Sequence, residues 1–186
     1  MTKTVLIPYF ESNIYKRDML KKCIDSLKGD YDELIIINDI EPRGMTRAVV
    51  QGHAIAHGDF IITISDDAEL VTGTLTQLCD KDAVTAPLLN NDCTKTWGPV
   101  FCTPRWVYEK VGTWDIAFDG GLGYDDDEYR FRLKAFGIPD HFIHEVNFTH
   151  PWGGTTIKEV GDAGTRGMAV ERNRKIYMDI INRGYK

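Results

Sequence analysis

No C-x-x-C pair occurs in this chain of 186 residues. Its four cysteines, Cys23, Cys79, Cys93 and Cys102, lie far apart, which argues against a zinc ribbon. No stretch approaches the length of a membrane span. The apolar run Thr4–Pro8 is far too short for a signal peptide, and charged residues soon follow it. A cytoplasmic setting with free thiols is therefore the expectation. An excess of basic charge is missing too. The formal net charge is -6, so bulk electrostatics do not favour a polyanion as general partner. Internal repeats and low-complexity tracts are absent. With 42% hydrophobic and 27% charged residues, composition excludes disorder for most of the chain. The length suits one domain with a buried core.

What is present is a regular alternation in the first 65 residues. Thr4–Pro8, Glu33–Asn38 and Phe60–Ile64 are short apolar runs that read as buried strands. Lys16–Lys28 and Thr46–His57 have helical spacing between them, the first helix ending at Gly29-Asp30. This β-α-β-α-β order predicts an α/β fold with a Rossmann-like, mostly parallel sheet flanked by helices. In such sheets ligands bind beyond the carboxyl ends of the strands. The second half is less regular. Strands are expected at Ala83–Pro87, Pro99–Cys102 and Phe142–Phe148. Helices are expected from Thr103-Pro104 to about Val111, with Thr103 as N-cap, from Asp125 to Phe136, and from Ala169 to Asn182. Gly120–Gly123 and the stretch from Trp152 to Gly167 read as loops.

Three sites carry chemistry. Ser65-Asp66-Asp67 leaves the third strand with two adjacent carboxylates, whose repulsion a hard cation such as Mg²⁺ or Mn²⁺ would relieve. Capping of the next turn is the other reading. Asp125-Asp126-Asp127-Glu128 opens a helix. Acids there suit the helix dipole, and pairs Asp126–Arg130 and Glu128–Arg132 have the right spacing. Four acids exceed what capping requires, and their repulsion raises one pKa, as a general base needs. His150, after the last strand, is either a structural histidine or a metal ligand.

Taken in order, these segments resemble glycosyltransferase family 2, inverting enzymes of the GT-A fold. Val5-Leu6-Ile7-Pro8-Tyr9 looks like that family's opening V-V-I-P-T-Y. Ile35–Asp39 is similar to its I-V-V-D-D. Gly44–Ala48 resembles G-L-S-A-A, and Gly52 with Ala56–Ile61 resembles N-x-G and A-x-G-x-Y-I. Ile64–Asp67 falls on the D-x-D metal motif, Val111–Asp115 on V-G-G-F-D, Asp125–Leu133 on E-D-V-D-L-x-L-R-L, and His150–Thr155 on H-x-x-G-x-T. The resemblance covers roughly Thr4 to Thr156. Ser65 replaces the first aspartate of D-x-D, and Val49 and Val50 replace the usual arginine and asparagine.

The resemblance implies one GT-A domain: a nucleotide-binding half over about 1–90, a smaller acceptor-side half over 91–156, and a loop and helix over 157–186. It implies metal-assisted transfer of a sugar, with inversion, from a nucleoside-diphosphate sugar to an acceptor hydroxyl. Mn²⁺ or Mg²⁺ would be held by Asp67 and His150. Asp126 would be the catalytic base beside Asp125. Pro8, Tyr9, Glu11, Asp39, Arg47 and Asp66 would bind the nucleotide, with Asp39 on the base and Arg47 or Arg166 facing the diphosphate. Trp152 and Asp125 would meet the sugar or acceptor, and residues 153–167, with Lys158, would close as a lid. The acceptor class stays open among saccharide, lipid-linked, protein and modified nucleic-acid hydroxyls. The rival readings are a sugar nucleotidyltransferase, whose glycine-rich basic phosphate loop is missing from Pro8–Arg17, and a non-catalytic nucleotide-sugar-binding relative.

Overall fold

A computed structural model of the chain describes residues 1–11, 14–39, 45–92, 98–120, 122–151 and 163–185. The apolar runs of the first half become β1 (Lys3–Phe10), β2 (Glu33–Asp39) and β3 (Phe60–Ile64). α1 (Ile14–Ser26) and α2 (Thr46–Ile55) connect them. Then follow β4 (Glu69–Thr72), a 3₁₀ turn at Leu75–Leu78, β5 (Val84–Leu89), β6 (Val100–Pro104) and α3 (Arg105–Val111). A 3₁₀ turn at Ile116–Phe118, α4 (Asp125–Ala135), β7 (Asp140–Thr149) and α5 (Ala163–Arg183) complete the order. Among the described residues no helix is long and apolar enough to cross a membrane.

The seven strands form one sheet in the order β2-β1-β3-β6-β5-β7-β4. β2, β1 and β3 are parallel, as their apolar runs and helical crossovers require. Beyond β3 the sheet is mixed. β6 is antiparallel to β3 and β5, β7 is parallel to β5, and β4 is antiparallel to β7. The consequence for function lies at one edge. β1, β2, β3, β5 and β7 all end there, and β4 and β6 begin there.

Successive strand residues point to opposite faces. Val5, Ile7, Ile62 and Ile64 pack against Cys23 of α1 and Leu27 in the turn that follows it on one face. On the other, Leu6 and Ile61 meet Ala56, while Phe101 packs with Val107 of α3 and Tyr129 and Leu133 of α4. The approach of α2 to β1 is very close. A Cβ at Gly52 would lie 2.1 Å from Leu6 Cδ1, and Leu6 is wholly buried.

Three expectations change. Thr103 and Pro104 do not open a helix. Both belong to β6, where Thr103 pairs with Ile61 and is fully buried, and the helix begins at Arg105. α5 starts at Ala163 rather than Ala169, so Gly164 and Gly167 are helical rather than loop. Its anchorage is tertiary: Asn173, fully buried, donates to the Phe118 and Gly123 carbonyls, and Arg172 to that of Ala117. β4 was not anticipated, because Glu69–Thr72 is largely exposed and has no apolar alternation.

Gly52→Ala should destabilise the fold by about 1–3 kcal/mol through overpacking. Urea unfolding should show that loss, and Leu6→Ala in the same chain should recover part of it, because the two side chains compete for one space.

Candidate functional site

The exit of β3 places two carboxylates in a nearly dry position. Asp66 and Asp67 are each 7% exposed. Two unpaired buried charges side by side would be very costly. Each has its own nitrogen partner. Lys16 of α1, 1% exposed, donates to Asp66 Oδ2 at 2.9 Å. His150, just beyond β7, sets Nε2 3.1 Å from Asp67 Oδ1. Burial raises the Asp67 carboxyl, but the bond and charge of His150 and the charge of Lys16 outweigh it. The net effect holds Asp67 below the usual aspartate value.

His150 is clamped from below. Its N–H donates to Asn90 Oδ1 at 3.1 Å, and Asn90 Nδ2 donates to its carbonyl at 2.8 Å. Asn90 can do this because it turns the chain at φ 53, in the left-handed region that asparagine tolerates. Asp67 and His150 line a cleft of about 340 Å³ together with Tyr15, Met19 and Lys22 of α1.

The acid cluster reaches the same edge from the opposite face. Thr46, at the start of α2, donates its hydroxyl to Asp125 Oδ2 at 2.8 Å, which ties the first turns of α2 and α4 together. Asp126 leans on Gly98, where an added Cβ would come within 2.5 Å of Asp126 Oδ2. The next residue, Pro99, accepts the Ser65 N–H at 2.7 Å. One residue's backbone thus links the neighbour of Asp126 to the strand exit that carries Asp66 and Asp67. Asp126 is not among the residues lining the α1-side cleft. Burial, then the charges of Asp125 and Asp127, push the Asp126 carboxyl up to about 7. Burial also raises Asp125, against the lowering bond from Thr46. Glu128 has a different task. It is fully buried and held by a bidentate Arg132, at 3.0 and 2.8 Å, and by the Tyr185 hydroxyl.

No protein-family model matches the sequence, and comparison with curated protein sequences finds no match. Solved structures do match. GalNAc-T7 with UDP, GalNAc and Mn²⁺ superposes with a TM-score of 0.67 at 13% identity, over 96% of this chain and 50% of that one. The mannosyltransferase PcManGT from Pyrobaculum calidifontis, in complex with GDP-Man and Mn²⁺, gives 0.62 at 13% identity, over 99% and 65%. A Drosophila β-1,4-galactosyltransferase 7 with manganese, UDP-Gal and xylobiose gives 0.60 at 14% identity, over 76% and 65%. The chain has the GT-A fold. It spans less than two thirds of the length of each of these three chains.

In this GT-A chain the other expected nucleotide contacts are dispersed along the edge. Asp39 ends β2 beside Phe10 and is half-buried. Pro8 and Tyr9 are both buried but, as neighbours in β1, project to opposite faces, so they do not line one wall. Glu11 is exposed and paired with Arg17. Arg47 on α2 is bound to Asp119 at 2.5 Å. Arg166 sits on α5, in a helix rather than a lid. Trp152, Lys158 and the glycines at 153 and 154 lie outside the described residues, as does Gly44. Of the two helix pairs, Glu128–Arg132 forms, while Arg130 bonds Asp140 at 2.6 Å.

Sequence reasoning missed Lys16, Asn90, Thr46 and Gly98. Lys16 carried one signal: it interrupts the apolar face of α1. Tyr124 is a further feature, a non-glycine residue at φ 68 immediately before the acids. Its ring packs on Tyr177 of α5, at 5.4 Å between centroids, which helps hold that strained turn.

The raised Asp126 pKa has a stability consequence. Between the ordinary 3.8 and about 7 the folded chain binds more protons than the unfolded one, so stability falls as pH rises through this window. Asp126→Asn should therefore raise Tm at pH 8 by about 2 °C or more. At pH 3.5 calorimetry should find the difference gone.

Proposed function

We propose that this chain transfers a sugar from a nucleoside-diphosphate sugar to an acceptor hydroxyl, with inversion and with a divalent cation shared between Asp67 and His150. The observation that carries this reading is the meeting of Asp67 and His150 at 3.1 Å, 83 positions apart in sequence, at the edge where the acid cluster also arrives. The GT-A fold supports it, as do the nucleotide and Mn²⁺ in the three similar structures.

The donor set suits such a cation. A carboxylate and an imidazole together favour Mn²⁺ and tolerate Mg²⁺. Among the described residues no group of three His, Cys, Asp or Glu side chains gathers to hold a metal. The set therefore fits a cation whose remaining positions come from a diphosphate and water, and does not fit a closed structural site. Bound there, the cation supplies Lewis-acid stabilisation of the departing diphosphate.

The protein residues do the rest. Asp39, at the end of β2, accepts a hydrogen bond from a ring N–H of the base. Lys16 holds Asp66, which keeps the β3 exit in shape and leaves Asp67 directed at His150. Asp126 takes the proton of the acceptor hydroxyl at a carboxylate oxygen as that hydroxyl attacks the anomeric carbon. Its elevated pKa makes it a better proton acceptor than an ordinary aspartate. Asp125, anchored by Thr46, supplies the neighbouring charge that sustains the elevation. The displacement is direct, so no nucleophilic serine or cysteine is required.

A thermal-shift screen of UDP- and GDP-sugars, with and without Mn²⁺, tests the binding half. One donor should raise Tm only with the metal, and Asp67→Asn or His150→Ala should abolish that rise. If no donor stabilises the chain under either condition, the reading fails. With donor and acceptor in hand, Asp126→Asn should lower kcat by roughly 10²–10⁴-fold while donor stabilisation persists. The wild-type rate should climb as pH rises through about 7, because the base must be ionised. The released product should be the nucleoside diphosphate; pyrophosphate would point to nucleotidyl transfer instead.

A further inference from the structure

His150 lies just past the end of β7, and a single side chain keeps it in line with the sheet. β5 and β7 run parallel, with Leu88 opposite Asn147 and Leu89 opposite Phe148. Asn90 stands where the next rung belongs. Its N–H donates to the Phe148 carbonyl at 2.8 Å, as a parallel ladder requires. In a regular ladder its carbonyl would then accept the N–H of His150. The chain turns at this point instead. Asn90 and Asn91 are both left-handed, at φ 53 and 62, and Leu89 and Asp92 bond each other across the turn at 2.9 and 3.1 Å. The Asn90 side chain supplies the half of the rung that the turning main chain gives up. Oδ1 accepts the His150 N–H at 3.1 Å, and Nδ2 donates to the His150 carbonyl at 2.8 Å.

We propose that Asn90 is a positioning residue, which fixes the main chain of His150 so that its imidazole stays on Asp67. With the N–H and the carbonyl of His150 both held, only χ1 and χ2 are left to place Nε2. Nε2 then lies 3.1 Å from Asp67 Oδ1. The choice of residue is chemical. The task needs an acceptor and a donor on one short side chain, at a position in the left-handed region. Asparagine meets every requirement. Aspartate lacks the donor, and glycine keeps the turn but has no side chain to offer. Asn91 makes the contrast plain. It is exposed and also left-handed, yet it holds β7 through its main chain, whose N–H donates to Asn147 Oδ1 at 2.9 Å.

The effect on a cation is indirect. Groups that orient a metal ligand from behind typically change metal affinity by roughly 10–100-fold when removed. This consequence rests on the transfer reading, whereas the hold on His150 does not. Asn90 also borders the cleft, so direct contact with a bound ligand is the competing role.

Asn90→Gly and Asn91→Gly in the full chain test the assignment with two measurements. The first needs no metal. NMR of the ring protons follows the His150 Nε2–H, which the buried Asp67 carboxylate accepts. Its signal should be present in the wild type and in Asn91→Gly, and lost to exchange in Asn90→Gly. The second is Mn²⁺ affinity, read from the EPR signal of the free ion. Asn90→Gly should weaken it about tenfold, and Asn91→Gly should leave it unchanged. Both variants retain a turn that glycine accepts, and circular dichroism with thermal melting would show that they fold. The proposal is overturned if the ring signal is absent from the wild type, survives in Asn90→Gly, or is lost equally in Asn91→Gly. Weaker Mn²⁺ binding in Asn90→Gly with the ring signal intact would also overturn it, in favour of direct ligand contact. A wild-type chain that binds no Mn²⁺, yet loses its ring signal in Asn90→Gly alone, would strike the cation reading and uphold the positioning role.

Discussion

Two adjacent carboxylates sit at the end of a fully buried strand, and the arrangement around them follows from the need to neutralise them. Desolvating a charge costs several kcal/mol even after relaxation, and a second charge beside it adds repulsion. Asp66 is answered by Lys16 from the first helix. Asp67 is answered by His150 from the far end of the chain. The two answers differ in character. The Lys16 pair is closed off from water, with side-chain exposures of 2% and 10%. The His150 pair borders a cleft. The contact that relieves burial of Asp67 is the one on which the proposed cation site rests.

The acid cluster follows a different logic. Among the described residues no buried cation of the Lys16 kind pairs with Asp125 or Asp126. Asp125 accepts the Thr46 hydroxyl, Asp126 rests on the bare backbone of Gly98, and Glu128 forms a buried ion pair with Arg132. Helix dipole and capping interactions offset part of the repulsion. The remainder appears as a raised pKa on Asp126. A carboxylate made uncomfortable in this way is a worse contributor to stability and a better proton acceptor, a common trade at reactive sites.

Much of this was legible in residue order. The three apolar runs of the first half made a parallel unit unavoidable, because strands buried on both faces need helical crossovers. Asp39, Asp67 and His150 follow strand ends, where a sheet of this kind offers its ligand edge. The errors have local causes. Thr103-Pro104 has the look of a helix start, yet its pairing with β3 outweighs that preference. The glycines at 164 and 167 look like loop, yet Asn173 and Arg172 dock the helix onto the Phe118 turn and extend it. Glu69–Thr72 has no apolar pattern, so only its partner β7 makes it a strand.

By itself the sequence determined the kinds of groups available and the edge to which most of them would be delivered, because strand direction and crossover length are local matters of pattern and chain geometry. Tertiary structure alone decided who neutralises whom. Lys16 with Asp66, His150 with Asp67, Arg47 with Asp119 and Gly98 beneath Asp126 are contacts between segments whose separation in the chain carries no record of their meeting. The reason is physical. A buried charge selects its partner by distance and desolvation in the packed state, and neither quantity exists until the sheet has formed.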